Sequence, residues 1–211
     1  AGHEIVAGDA AAEVMIFNTC SVREQAERKA IGQIGFMKKY KAHNPDLTIR
    51  AIGCMAQNRG AELFDTLPHL DFVLGTGQLH KLPELVESLR AERRQLAETG
   101  MSEAVLTGLN EHSAAERYTP FQASVAITRG CNRFCSYCIV PYVRGREISR
   151  AAADIVAEVR LLAADGVREI LLLGQNVAAY GLNGDIRPPA PDHSPFAELL
   201  EELCRIDGIA R

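Results

Sequence analysis

Three cysteines fall within eight residues of one another, in the run Arg129-Gly-Cys-Asn-Arg-Phe-Cys-Ser-Tyr-Cys-Ile-Val-Pro-Tyr142. Cys131, Cys135 and Cys138 have the spacing C-x3-C-x2-C, so one short loop presents three thiols. Iron–sulfur cubanes are normally held by four Cys thiolates. A loop that supplies three leaves one iron open to an outside ligand, by the logic through which a catalytic metal keeps a free position. An open iron on a low-potential cluster can bind a small molecule and pass it an electron. The competing metal is zinc, whose structural sites want four ligands, usually in cysteine pairs. Its fourth ligand would have to come from His112, Cys204 or another chain, and the sequence offers no second pair. A disulfide framework fits poorly, because these cysteines cluster instead of spreading along the chain.

The hydrophobic pattern places this loop in an α/β chain of two blocks. Val14-Met-Ile-Phe17 reads as a buried strand ending at Asn18-Thr-Cys-Ser21, and a helix is predicted over about 22–41. Val22, Ala26, Ala30 and Ile34 recur at four-residue spacing on one face of it, and Asn44-Pro45 ends it. A second strand runs from Leu47 to Ile52 and closes at Gly53-Cys54. A helix over 57–66, a strand at Phe72-Val-Leu74 and a long helix over 78–97 complete the first block. Residues 99–119 are polar and weakly periodic, and read as a linker.

The second block opens with a strand at Gln122–Thr128 that leads straight into the cysteine loop. A helix over 152–165 aligns Ile155, Val159 and Leu162, and a strand at Arg168–Leu173 runs into Gly174-Gln-Asn176. Residues 183–195 are proline-rich and read as an exposed loop before a last helix over 196–206, on whose apolar face Leu200 and Cys204 are expected to be core. This alternation predicts parallel strands, with chemistry gathered at their carboxyl ends. The cysteine loop and Gly174-Gln-Asn176 occupy such ends. So do Cys20 and Cys54, each of which terminates a predicted strand and is otherwise read as a buried free thiol.

Charge is unevenly spread. The chain carries a net charge of −4, which argues against nucleic-acid binding by the whole surface. Residues 129–150, however, hold five Arg against Glu147 alone, and residues 23–50 hold seven basic and three acidic side chains; each is about +4. Basic charge therefore gathers around the cysteine-bearing segments, where an anionic cofactor or a phosphate backbone would be steered. A solvated helix face is the alternative for residues 23–50. No apolar run approaches membrane-spanning length, so no membrane partner is expected. Six cysteines in such a chain point to a reducing, cytoplasmic compartment.

At the cysteine loop the chain resembles the radical S-adenosylmethionine (AdoMet) enzymes, whose signature is C-x3-C-x-aromatic-C, with Tyr137 in the aromatic slot. In that superfamily AdoMet chelates the open iron through its amino and carboxylate groups. The aromatic residue packs near the adenine, and electron transfer to the sulfonium yields a 5′-deoxyadenosyl radical.

Further motifs narrow the resemblance. Asn18-Thr-Cys-Ser-Val-Arg23, Gly53-Cys54, the extended run from Arg129 to Arg150, and Leu172-Leu-Gly-Gln-Asn-Val177 with Tyr180 occur in order. Over nearly its whole length the chain is thus similar to the methylthiotransferase branch. The Asn-Thr-Cys-Ser-Val-Arg and Gly-Gln-Asn-Val forms favour members acting on isopentenylated tRNA. Sisters act on threonylcarbamoyl-adenosine tRNA or on a ribosomal protein.

The resemblance implies two [4Fe–4S] clusters, AdoMet, and an electron donor such as flavodoxin or ferredoxin. The reaction would be methylthiolation at C2 of N6-isopentenyladenosine, next to the anticodon of a tRNA. Cys131, Cys135 and Cys138 would hold the AdoMet-cleaving cluster. Cys20 and Cys54 match two of three ligands of an auxiliary, sulfur-supplying cluster, and no cysteine precedes Cys20 in this sequence. Gln175 and Asn176 are placed for AdoMet or substrate contacts, and Arg144 or Arg146 for an anionic group. Residues 1–98 would be an N-terminal α/β methylthiotransferase domain with a parallel sheet, lacking its start. Residues 99–119 would be the linker, and 120–211 the first βα units of a radical-SAM partial TIM barrel. The remaining units and a C-terminal RNA-binding domain are expected to be missing, and this stretch alone is expected to be inactive. A reading from another class stays open at this point: a zinc-stabilised RNA-binding module without catalysis.

Overall fold

The structure, a computed structural model, describes residues 4, 6, 12–91, 95–101, 119–182 and 194–211. The chain forms two compact units, one from Ala1–Val105 with Tyr142–Arg144, the other from Leu106–Pro141 with Gly145–Arg211.

The first unit is built on a four-stranded parallel sheet in the order β1 (Val14–Thr19), β2 (Thr48–Gly53), β3 (Phe72–Gly75), β4 (Leu96–Glu98). Parallel strands covered on both faces need continuous apolar runs, because neither face meets water. β3 is buried at every position, and so is β2 from Ile49 onward. β1 lies at the edge, and there Ile16 is exposed while Met15 and Thr19 are buried. Ile34, Met37, Leu47, Ile49, Met55, Leu63, Leu70 and Val73 form the core on one side. Arg50 breaks the pattern: it is fully buried in β2, with Nη2 donating to the Val86 carbonyl at 3.2 Å.

The connections depart from the sequence reading in three places. The helix expected over 22–41 is two helices, α1 (Glu24–Phe36) and α2 (Lys38–His43), which meet at Met37; Val22 lies outside it and is exposed. The break sets Met37 into the core beside Ile34. The helix over 57–66 starts earlier and is split at Gly60-Ala61 into α3 (Cys54–Arg59) and α4 (Glu62–Thr66). The long helix over 78–97 is instead a 3-10 turn (Thr76–Lys81), α5 (Leu82–Ala91) and then the strand β4. Pro83 in the first turn of α5 suits a helix start, where its missing N–H costs nothing. Leu96 is drawn into parallel register with Phe72, a long-range pairing that outweighs local helix propensity.

In the second unit β5 (Gln122–Ala126) pairs in parallel with β8 (Glu169–Leu173). The single strand expected at 122–128 is interrupted at Ile127, which donates to Leu173 and accepts from Arg150. Beyond it β6 (Thr128–Arg129) pairs antiparallel with β7 (Ile148–Ser149), and α6 (Val140–Arg144) lies between them in the chain. Against the sheet pack α7 (Ala152–Ala164) and α8 (Pro195–Cys204) through Val125, Ile127, Ile155, Val159, Leu162, Leu199 and Leu203. Cys204 is exposed and Leu200 is 38% exposed, which corrects their assignment to the core. The buried stripe of α8 is Leu199 and Leu203, one residue earlier, so Leu200 and Cys204 sit about 100° round the helix. The proline-rich loop lies almost wholly outside the described residues, as do 102–118 of the expected linker. No helix among the described residues is long and apolar enough to cross a membrane.

Candidate functional site

In the first unit both thiols stand at the carboxyl edge of the sheet. Thr19 and Gly53 are register partners, so Cys20 and Cys54 are the next residues on adjacent parallel strands. Cys20 is exposed and its Sγ accepts the Val22 N–H at 3.4 Å; Cys54 is buried and opens α3. Gly53 makes the turn at φ +97°, and a Cβ there would fall 2.5 Å from the Thr19 carbonyl oxygen and 2.7 Å from Asn18 Oδ1. Only glycine lets the two strand ends approach this closely. The Thr19 hydroxyl donates to the Ile52 carbonyl at 2.5 Å and accepts the Ala56 N–H at 3.4 Å. Glu27 of α1 is buried and joins the same corner: the Ser21 hydroxyl donates to its Oε2 at 2.8 Å, and Arg59 Nε to its Oε1.

In the second unit the cysteine loop runs from β6 to α6. Gly130 has φ +77°, and a Cβ on it would come within 2.1 Å of the Arg146 carbonyl oxygen and 2.5 Å of that of Gly145. The loop is thus seated on the backbone of 145–147. Cys131 N–H donates to the Gly145 carbonyl at 3.2 Å, and Glu147 N–H donates to Asn132 Oδ1 at 3.2 Å. Cys138 N–H donates to the Cys135 carbonyl at 2.9 Å, closing the second half. Between the cysteines Phe134 takes the left-handed conformation at φ +44°, a strained state for an L side chain. Cys131 is buried, Cys138 half-buried and Cys135 exposed.

The other site residues divide. Gln175, just past β8, is drawn onto the loop, its Oε1 accepting the Gly130 N–H at 2.6 Å. Asn176 is half-buried beside it. Tyr137 projects into solvent, 91% exposed. Arg144 ends α6, half-buried, and Arg146 is exposed, its carbonyl forming part of the backbone on which Gly130 is seated. Tyr180 donates its hydroxyl to the Arg150 carbonyl at 2.8 Å, behind a buried Arg150–Glu158 ion pair of 2.7 Å. Burial raises the Glu147 carboxyl above the usual glutamate value, and the Arg133 guanidinium partly offsets this.

Sequence reasoning passed over Gly130, Glu27 and the Arg150–Glu158 pair. A glycine directly before the first loop cysteine is a readable signal. An acid in the first turn of a helix reads as dipole compensation, so Glu27 carried none.

Residues 1–75 match the model of "Uncharacterized protein family UPF0004", and residues 125–211 that of the "Radical SAM superfamily". Curated relatives named tRNA-2-methylthio-N(6)-dimethylallyladenosine synthase align along the chain. The protein of Moorella thermoacetica is 45% identical over 100% of this chain and 46% of its own length. That of Carboxydothermus hydrogenoformans is 45% identical over 95% and 44%, and that of Buchnera aphidicola 42% over 95% and 44%.

The chain belongs to the methylthiotransferase family of radical SAM proteins. It spans about half the length of the curated relatives it matches. Membership implies a four-iron cluster and AdoMet, and the donor set fits. Three thiols hang from one loop whose seat a single Cβ would fill. Among the described residues no three His, Cys, Asp or Glu side chains converge on one point as a single metal ion requires.

Proposed function

We propose that this chain is part of a tRNA-modifying radical AdoMet methylthiotransferase that places a methylthio group on C2 of N6-isopentenyladenosine next to the anticodon. Cys131, Cys135 and Cys138 hold the first [4Fe–4S] cluster, and Cys20 and Cys54 give two thiolates to the auxiliary one. When bound, the clusters and AdoMet supply the one-electron chemistry and the sulfur. The chain's own residues position and shield. Gly130 and the 145–147 backbone fix where the loop thiols emerge. Gln175, whose Oε1 accepts the Gly130 N–H, has in its amide NH2 the donors that a carboxylate would take. Asn176 contributes further polar groups, Arg146 and Arg144 attract an anionic group, and Tyr137 offers a bare ring face for an adenine.

Residues 1–98 then act as the auxiliary-cluster domain, 99–119 as the linker and 120–211 as the start of the AdoMet domain. The partners are isopentenylated tRNA and an electron donor such as flavodoxin or ferredoxin, and the setting is cytoplasmic. The observation that carries this reading is that Cys20 and Cys54 follow adjacent strands at the carboxyl end of the first parallel sheet, while the cysteine loop follows β6, just past the carboxyl end of parallel strand β5, in the motif order of the tRNA enzymes. Anaerobic assay of the gene product at the relatives' full length, with mass spectrometry of the nucleosides, tests it. Methylthio-isopentenyladenosine is the expected product. Modification of threonylcarbamoyl-adenosine tRNA alone, or stoichiometric colourless zinc on the loop, would refute it.

A further inference from the structure

We infer that Glu27 is a positioning residue for the Cys20/Cys54 thiol pair; the inference rests on the proposed role of those thiols as ligands of one cluster. The two cysteines sit on different segments, Cys20 in the turn after β1 and Cys54 at the start of α3. The sheet brings their backbones together through the Thr19–Gly53 register, but a register does not fix the turn that carries Cys20. Glu27 does. One carboxylate oxygen takes the hydroxyl of Ser21, the residue next to Cys20; the other takes Arg59, in the last turn of the helix that Cys54 opens. A single buried side chain therefore ties both thiol-bearing segments to α1.

A carboxylate near a helix N-terminus commonly serves the helix dipole alone. Here both oxygens are engaged sideways, by two separate elements, and the residue is only 8% exposed. Charge-assisted bonds of this kind are the stronger class of hydrogen bond. Partners that orient metal ligands are worth about 10–100-fold in metal affinity when removed.

The test uses the full chain with Cys131, Cys135, Cys138 and Cys204 replaced by Ser, so that Cys20 and Cys54 are its remaining thiols. Cadmium is the probe, and thiolate-to-cadmium charge-transfer absorption counts the sulfurs bound per ion. The parent is expected to show a two-thiolate band that C20S or C54S halves. Glu27→Ala should weaken cadmium binding about 10–100-fold and reduce the band toward the one-thiolate value. Glu27→Gln, whose amide oxygen still accepts from Ser21 but whose NH2 cannot accept from Arg59, should fall between the parent and Glu27→Ala, close to Arg59→Met. Arg59→Met keeps the aliphatic stem and breaks only the α3 half, so it reads the same tie if Glu27→Ala fails to fold. Parent-like affinity and band intensity in both Glu27→Ala and Arg59→Met would overturn the role of Glu27. A parent band unaffected by C20S and C54S would instead sink the thiol pairing itself.

Discussion

Gly130→Ala is the sharpest probe of the cysteine loop. At φ +77° an L side chain costs about 1–2 kcal/mol in backbone conformation alone. The new methyl would also sit 2.1 Å from the Arg146 carbonyl oxygen and 2.6 Å from its carbonyl carbon, backbone atoms that cannot swing away like a flexible side chain. Relief means lifting the loop off residues 145–147, which breaks the Cys131 N–H bond to Gly145 and the Gly130 N–H bond to Gln175. Each is worth about 1 kcal/mol net. The total is roughly 3–4 kcal/mol, or a fall in melting temperature of roughly 10 °C. Gly166→Ala is the control, because Gly166 has φ +89° but nothing within 4 Å of its added Cβ. It should lose only the conformational 1–2 kcal/mol or so. The assay pairs thermal denaturation with iron and sulfide content after anaerobic reconstitution. Gly166→Ala should hold iron on Cys131, Cys135 and Cys138 like the parent, and Gly130→Ala should lose most of it. A Gly130→Ala protein that melts with Gly166→Ala and keeps its iron would refute the argument that this backbone seat aims the thiols.

Three other outcomes are expected. Glu158→Ala should cost about 3–5 kcal/mol in urea unfolding, because it strips the buried Arg150 guanidinium of its ion-pair partner, both side chains being only 4% exposed. Glu147 takes up its proton more readily in the folded chain than in the unfolded one, so its stabilising contribution is full below the usual glutamate value and is lost as pH rises through the higher folded value. Glu147→Gln, which never ionises, should therefore gain stability over the parent across that window and then level off, as melting curves at stepped pH will read. Cys204→Ser should change unfolding free energy by less than about 0.5 kcal/mol, since the thiol is exposed on α8.

The cysteine spacing, the strand-ending motifs and the parallel α/β alternation were legible in the sequence because each depends on neighbours a few residues apart. Apolar runs such as Phe72-Val-Leu74 mark doubly covered strands, and a motif of thiols at fixed spacing keeps its meaning in any fold that exposes the loop. What tertiary structure alone decided were events set by distant partners. Leu96 became a strand by pairing with Phe72, Ile127 broke one strand into two by bonding to Leu173 and Arg150, and Leu199 and Leu203, not Leu200 and Cys204, turned inward. The same holds at the sites: Gln175 reaches Gly130 across 45 residues, and Arg59 reaches Glu27 across 32. Local pattern names the groups that can do chemistry, whereas hydrogen bonds and packing between segments far apart in the chain set where those groups point.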